Sequence, residues 1–227
     1  MKLIVILVII LLIFIIIKRI SGNKNNNYTS QNYYHEIKNN LSTQEKYLFE
    51  QQIQSIEKIN KLIDQQSKQL KTVSIETEKE IKRQIQNAEN QIENYWLSKN
   101  TGFYYLIALH YQSFLLADAI KKDSLFLQNI YNNINTQISN INSKIKPIQA
   151  KIDSNQASSA DYITIKQFHI VRKDLFSKRD LLNALISEKE SLVTEQNKRT
   201  ARRRDYIKNN FGKKGRDWEY RMKLRHS

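Results

Sequence analysis

The sequence predicts an all-α chain: one N-terminal transmembrane helix, then a long antiparallel, up-down-up coiled-coil bundle of three helices. Three observations carry that expectation. The 227 residues include one proline and four glycines, too few breakers for a turn-rich β fold. Apolar residues recur at alternating steps of three and four over long stretches, the period of a helical seam. Residues 3–17 form an unbroken apolar run, LIVILVIILLIFIII, at the start of an otherwise polar chain.

That run, from Leu3 through Ile9 and Phe14 to Ile17, is the expected membrane anchor (1–20). As a helix it reaches about 22 Å, against a hydrocarbon core of roughly 30 Å. Lys2 on one side and Lys18 and Arg19 on the other close part of the gap by stretching their stems toward the headgroups. A cleaved secretory signal has an apolar region of similar length, but basic residues follow this run directly and no Ala-x-Ala-like site is present. A buried core helix is the third reading, and a segment apolar on every face at the N-terminus suits it poorly. Lys18, Arg19 and Lys24 outnumber the charges before the run, so the positive-inside bias places the body on the cytoplasmic side of a cell membrane, as a single-pass protein.

Residues 21–41 read as an Asn-rich polar linker with little to bury. Ser42 and Glu45 then form a capping-box pattern that opens the first helix of the bundle (42–97). Its seam runs Ile56, Ile59, Ile63, Leu70 and Val73, with Gln66 interrupting it, and resumes at Ile81, Ile85, Ala88 and Ile92. The four-plus-four spacing through Thr77 reads as a stutter in one continuous helix. Outer pairs such as Asp64 with Lys68 and Glu78 with Lys82 suit i,i+4 contacts.

Gly102 marks the next break, before a second helix (101–152). Its first part, 103–120, has no charged residue before Asp118. Tyr104, Tyr105, His110, Gln112 and Ser113 would be costly against lipid, so a buried core segment is favoured over a second membrane pass. His110 reads there as a hydrogen-bonded core residue and not a ligand. The cleanest seam follows: Leu127, Tyr131, Ile134, Ile138, Ile141, Ile145, Ile148 and Ile152, in steps of four and three without a fault. Pro147 lies inside it and predicts a kink or an end. Ser158 and Asp161 are placed to cap the third helix (161–208), whose seam is Phe168, Val171, Leu175, Leu182, Leu185 and Leu192, with Lys178 and Lys189 between. The short link predicts antiparallel packing on the helix before.

The net charge of +15 is concentrated at one end: the last thirty residues carry twelve basic and three acidic side chains. Candidate partner-binding residues are Arg199, Arg202, Arg203, Arg204 and Lys208, then Lys213, Lys214, Arg216 and Arg221 with Trp218 among them in the tail (209–227). Arginine chelates phosphate in a bidentate manner, and interleaved rings stack on bases or sit at a lipid interface. Nucleic acid, a ribosome or anionic lipid are therefore possible targets, beside a docking role toward an acidic protein and a plain solvated charge run.

Catalytic constellations are absent from the sequence. There is no cysteine, no pair of histidines at metal-ligand spacing, no glycine-rich phosphate loop and no G-x-S-x-G turn. The expectation is a non-enzymatic scaffold or adaptor without cofactor or metal. It docks other coiled-coil proteins or its own copies through its rod and basic C-terminal tip, and the isoleucine seam leans toward more than two strands in a parallel assembly. The alternatives are a membrane tether for nucleic acid or anionic lipid, and an extracytoplasmic, envelope-spanning rod such as a phage lysis factor.

Overall fold

The computed structural model describes residues 31–69, 73–97 and 102–226, and among these it is all helical. The predicted anchor lies outside the described residues, as does the N-terminal part of the predicted linker. Among the described residues no helix is long and apolar enough to cross a membrane. The helices are α1 (31–39), α2 (Thr43–Gln69), α3 (Ile75–Leu97), α4 (Phe103–Asp153), α5 (Ser159–Asn210) and α6 (Gly212–His226).

The predicted first helix is two helices. α2 ends at Gln69, α3 begins at Ile75, and the two pack on each other as a hairpin. No glycine or proline announces the turn. The local signal is Ser74, whose hydroxyl accepts from the Thr77 backbone N–H at 3.4 Å, an N-cap ahead of the acidic first-turn residues Glu76 and Glu78. What reads as a stutter through Thr77 is this restart.

The hairpin lies along the first half of α4 and the last half of α5, making a four-helix base. Asp64 of α2 pairs with Lys122 of α4 at 2.6 Å, and the Phe49 carbonyl accepts from the Gln112 amide at 3.4 Å. α2 therefore runs parallel to α4. Lys82 and Glu89 of α3 pair with Glu188 and Arg199 of α5, so α3 runs parallel to α5. The core of the base holds Ile56, Ile59, Ile63, Ile81, Ile85, Leu116 and Ile120, each 2% exposed or less. Residues 103–120 are core, as expected: the Gln112 amide nitrogen donates to Phe49, and Ser113 accepts from Arg203 at 2.7 Å.

Beyond the hairpin turn, α4 and α5 continue alone as a two-helix arm of roughly 20 residues, about 30 Å. Leu127, Ile134, Ile138 and Ile145 of the expected seam are buried, while Tyr131, Ile141, Ile148 and Ile152 are half-buried along it. On α5 the register is not the one predicted throughout. Leu175 and Leu182 face α4 as expected, but Ile165 and Ile186 join them and Val171 is 48% exposed. α4 does not end at Pro147, which sits exposed inside the helix. At the arm's tip the Ser158–Asp161 capping box forms, with both reciprocal bonds present at 2.9 and 3.2 Å. The Ser42–Glu45 box forms likewise.

The base is closed by α1 and α6. Tyr33, Ile37 and Leu41 are at most 6% exposed, so this part of the predicted linker is structured. Its four-residue apolar spacing was masked by the surrounding asparagines. Gly212 takes φ +54° at the end of α5 and lets the chain turn, and Gly215 lies so close to the Ile207 carbonyl that a Cβ there would collide with it. α6 folds back through these two glycines, and its Trp218 indole N–H donates to the Tyr33 hydroxyl at 2.9 Å. Four passes in the base, where three were expected, return the chain to its starting side. The C-terminal basic segment thus lies beside α1, at the end of the base where α2 begins.

Candidate functional site

Two features of this frame bear on function. The first is a buried charge cluster at the top of the base, where the arm departs. Lys189 of α5 places its Nζ 2.6 Å from Glu78 Oε1 of α3 and 2.8 Å from Asp123 Oδ2 of α4. The three side chains are 2%, 8% and 0% exposed, so each helix contributes one ion to a water-excluded contact. Burial pushes the Glu78 carboxyl up from its usual value, with a further rise from Asp123 that Lys189 opposes. Burial likewise raises Asp123. For Lys189 burial works against the charge, but Asp123 and Glu78 outweigh it and hold the ammonium above its ordinary value. Glu78 is therefore no solvent-facing partner of Lys82, which pairs with Glu188 at 2.7 Å instead. The sequence signal for this cluster was Lys189 itself, a charge at seam spacing between Leu182 and Val193.

Beside the cluster a groove of about 630 Å³ opens at the start of α3. It is floored by Ile130, Ile134, Leu175 and Leu182 and flanked by Val73 and Leu181. α3 fills the α4–α5 interface as a third helix up to Ile75, and beyond that point the same interface is open among the described residues.

The second feature is the basic base. The predicted binding residues fall into two groups there. Trp218 is 2% exposed, packed edge-on against His110 with ring centroids 5.0 Å apart, so it is not available for a base or a bilayer. Arg203 is 3% exposed and donates from Nη1 to the Leu109 carbonyl at 2.8 Å and to Ser113. Burial, aided by Arg199, pushes its pKa down to about 10. Arg199 is engaged by Glu89, Glu93 and Glu195, Lys208 by Glu219, and Arg221 by Glu36 at 3.5 Å. Lys214 lies over the Phe103 and Tyr104 rings at 4.5 and 4.4 Å. Arg202, Lys213 and Arg216 are exposed, and Arg204 is half-buried. No family model, no curated protein and no solved structure matches this chain. The tail is a packed helix, and its cations are split between structural pairing and an open surface.

Proposed function

We propose that the chain is a membrane-anchored, non-enzymatic helical scaffold, its body on the cytoplasmic side, which docks a helical partner on the face of its α4–α5 arm. The observation that carries this reading is the start of α3 at Ile75 over an apolar interface that continues without cover among the described residues. Ile130, Ile134 and Leu182 form the floor of a third-helix slot, and Leu181 at its edge is 48% exposed. Along the outer side of α5, Ile163 and Ile170 are 61% and 62% exposed, an apolar stripe of the kind that marks an interaction site. A helix laid end to end with α3 would bury the slot by the packing that α3 already uses. The apolar run 3–17 supports the anchor. The four-pass base supports an arm directed away from the end at which α1 and α6 pack.

The test is site-specific photo-crosslinking of the full chain in its native membrane, with the cross-linker at Leu181 and a control at Asp180, exposed on a different side of α5 from the groove and the stripe. A defined adduct at Leu181 but not at Asp180, either to a second copy or to another helical protein, is the expected result. Absence of any Leu181 adduct removes the docking arm. Release of the chain by alkaline carbonate washing removes the anchor separately.

A further inference from the structure

A cleft of about 420 Å³ opens on the base between α4, α5 and α6, and its lining has a one-sided chemistry. Arg204 of α5 and Lys223 of α6 supply its formal charges, and no carboxylate lines it among the described residues. Arg204 has no ion-pair partner among the described residues, and its Nε, buried behind the cleft wall, has no hydrogen-bond partner. Lys223 reaches Glu219 at 3.4 Å along its own helix, while its side chain stays 62% exposed. Asn197 and Thr200 add neutral polar groups, and the Thr200 hydroxyl already donates to the Gln196 carbonyl at 2.7 Å, leaving oxygen lone pairs toward any donor. Phe114, 42% exposed, and Met222 form an apolar flank.

We infer that this cleft binds an anionic phosphate ester that carries an apolar group. A guanidinium with free donors matches two phosphate oxygens at once, and a nearby ammonium adds a point charge. The apolar flank gives the ester's substituent a place that bare phosphate would leave empty, and the volume falls within the range of small-ligand sites. A phospholipid headgroup and a soluble phosphate share this chemistry. The headgroup is favoured by position, and that choice rests on the anchor proposed above. The cleft shares the base with α1, and the residues from Lys18 to Ser30 span at most about 45 Å when extended. A bilayer holding the anchor is therefore within reach of the cleft.

The experiment uses the full chain in neutral detergent micelles and reads the shift in its thermal unfolding with three probes: dihexanoyl phosphatidylglycerol, dihexanoyl phosphatidylcholine and inorganic phosphate. The expected result is stabilisation by phosphatidylglycerol, weakened by salt, with little from phosphatidylcholine. Arg204→Gln and Lys223→Gln each weaken it about tenfold or more, while Lys213→Gln, outside the cleft, leaves it unchanged. Phe114→Ala narrows the preference for the lipid over inorganic phosphate. Equal effects of phosphatidylglycerol and inorganic phosphate keep the anion site and assign it to a soluble ligand. Equal effects of the two lipids, or loss on Lys213→Gln as large as on Arg204→Gln, overturn the site. Should Arg204→Gln fail to fold by circular dichroism, Lys223→Gln at an exposed position decides. The titration is made in detergent, so it stands or falls apart from the anchor.

Discussion

Replacing Lys189 by methionine removes one ion from a cluster that three helices share. Glu78 and Asp123 would remain, at most 8% exposed, without the ammonium now 2.6 and 2.8 Å away. Removing one partner of a buried ion pair typically costs about 3–5 kcal/mol, because the remaining charge is left in low dielectric. For a chain of this size that lowers the unfolding temperature by roughly 6–20 °C. The penalty should depend on pH. Both carboxyls already titrate above their ordinary values, and without Lys189 they rise further, so the folded state holds their protons more tightly than the unfolded chain. Stability from that source is present at low pH and is lost as pH rises through the raised values. Lys189→Met should therefore cost little at acid pH, where both carboxyls are protonated, and progressively more as pH rises through their raised values. In the unmodified protein the Lys189 contribution is present where Glu78 and Asp123 are ionised, and it is lost again as pH rises through the raised Lys189 value. Replacing all three ions together, Glu78→Met, Asp123→Leu and Lys189→Met, removes the charges as well as the pairing and should be neutral or stabilising by about 1–4 kcal/mol. Denaturant melts followed by circular dichroism at several pH values supply the measurement. A single substitution costing under about 1 kcal/mol with no pH dependence would refute the claim that these three ions meet out of water.

Three further outcomes follow from particular contacts. Gln66 is 1% exposed with neither amide atom hydrogen-bonded, so Gln66→Met should stabilise the base by about 1–3 kcal/mol, read from the same melts. Ser158→Ala removes the capping box at the arm's tip and should cost about 1 kcal/mol while raising hydrogen exchange in the first turn of α5. Gly215→Ala puts a Cβ into the Ile207 carbonyl, so α6 must shift. The resulting loss of the Trp218–Tyr33 contact should appear as a red shift in tryptophan emission.

The sequence carried the helical class, the α4 seam, both capping boxes and the buried nature of residues 103–120, because each rests on local spacing or on charge-free composition. It concealed the α2–α3 turn, since Ser74 can cap a helix but does not have to break one, and the apolar steps on either side keep helical period. Tyr33, Ile37 and Leu41 were hidden in an Asn-rich stretch whose composition outweighs three well-spaced apolar side chains. The cluster of Glu78, Asp123 and Lys189 joins residues that only the four-pass base brings together, so Lys189 at seam spacing was its one local trace and nothing in the chain named the partners. The same applies to the basic segment. Its charge was plain, but which cations are engaged depends on glutamates from α1, α3, α5 and α6: Arg221 meets Glu36, Arg199 meets Glu89 and Glu195, and Lys208 meets Glu219.

The return of the chain to its starting side is most directly tested by one distance. The sequence has no cysteine, so spin labels attached through Gln44→Cys and Lys213→Cys report a single pair. Pulsed dipolar spectroscopy should give a separation within about 30 Å, since α2 begins and α6 begins at the same end of the base. A separation of about 70 Å, the length of a helix of about 50 residues, would instead mean three passes with the basic segment at the far end, and would contradict the account.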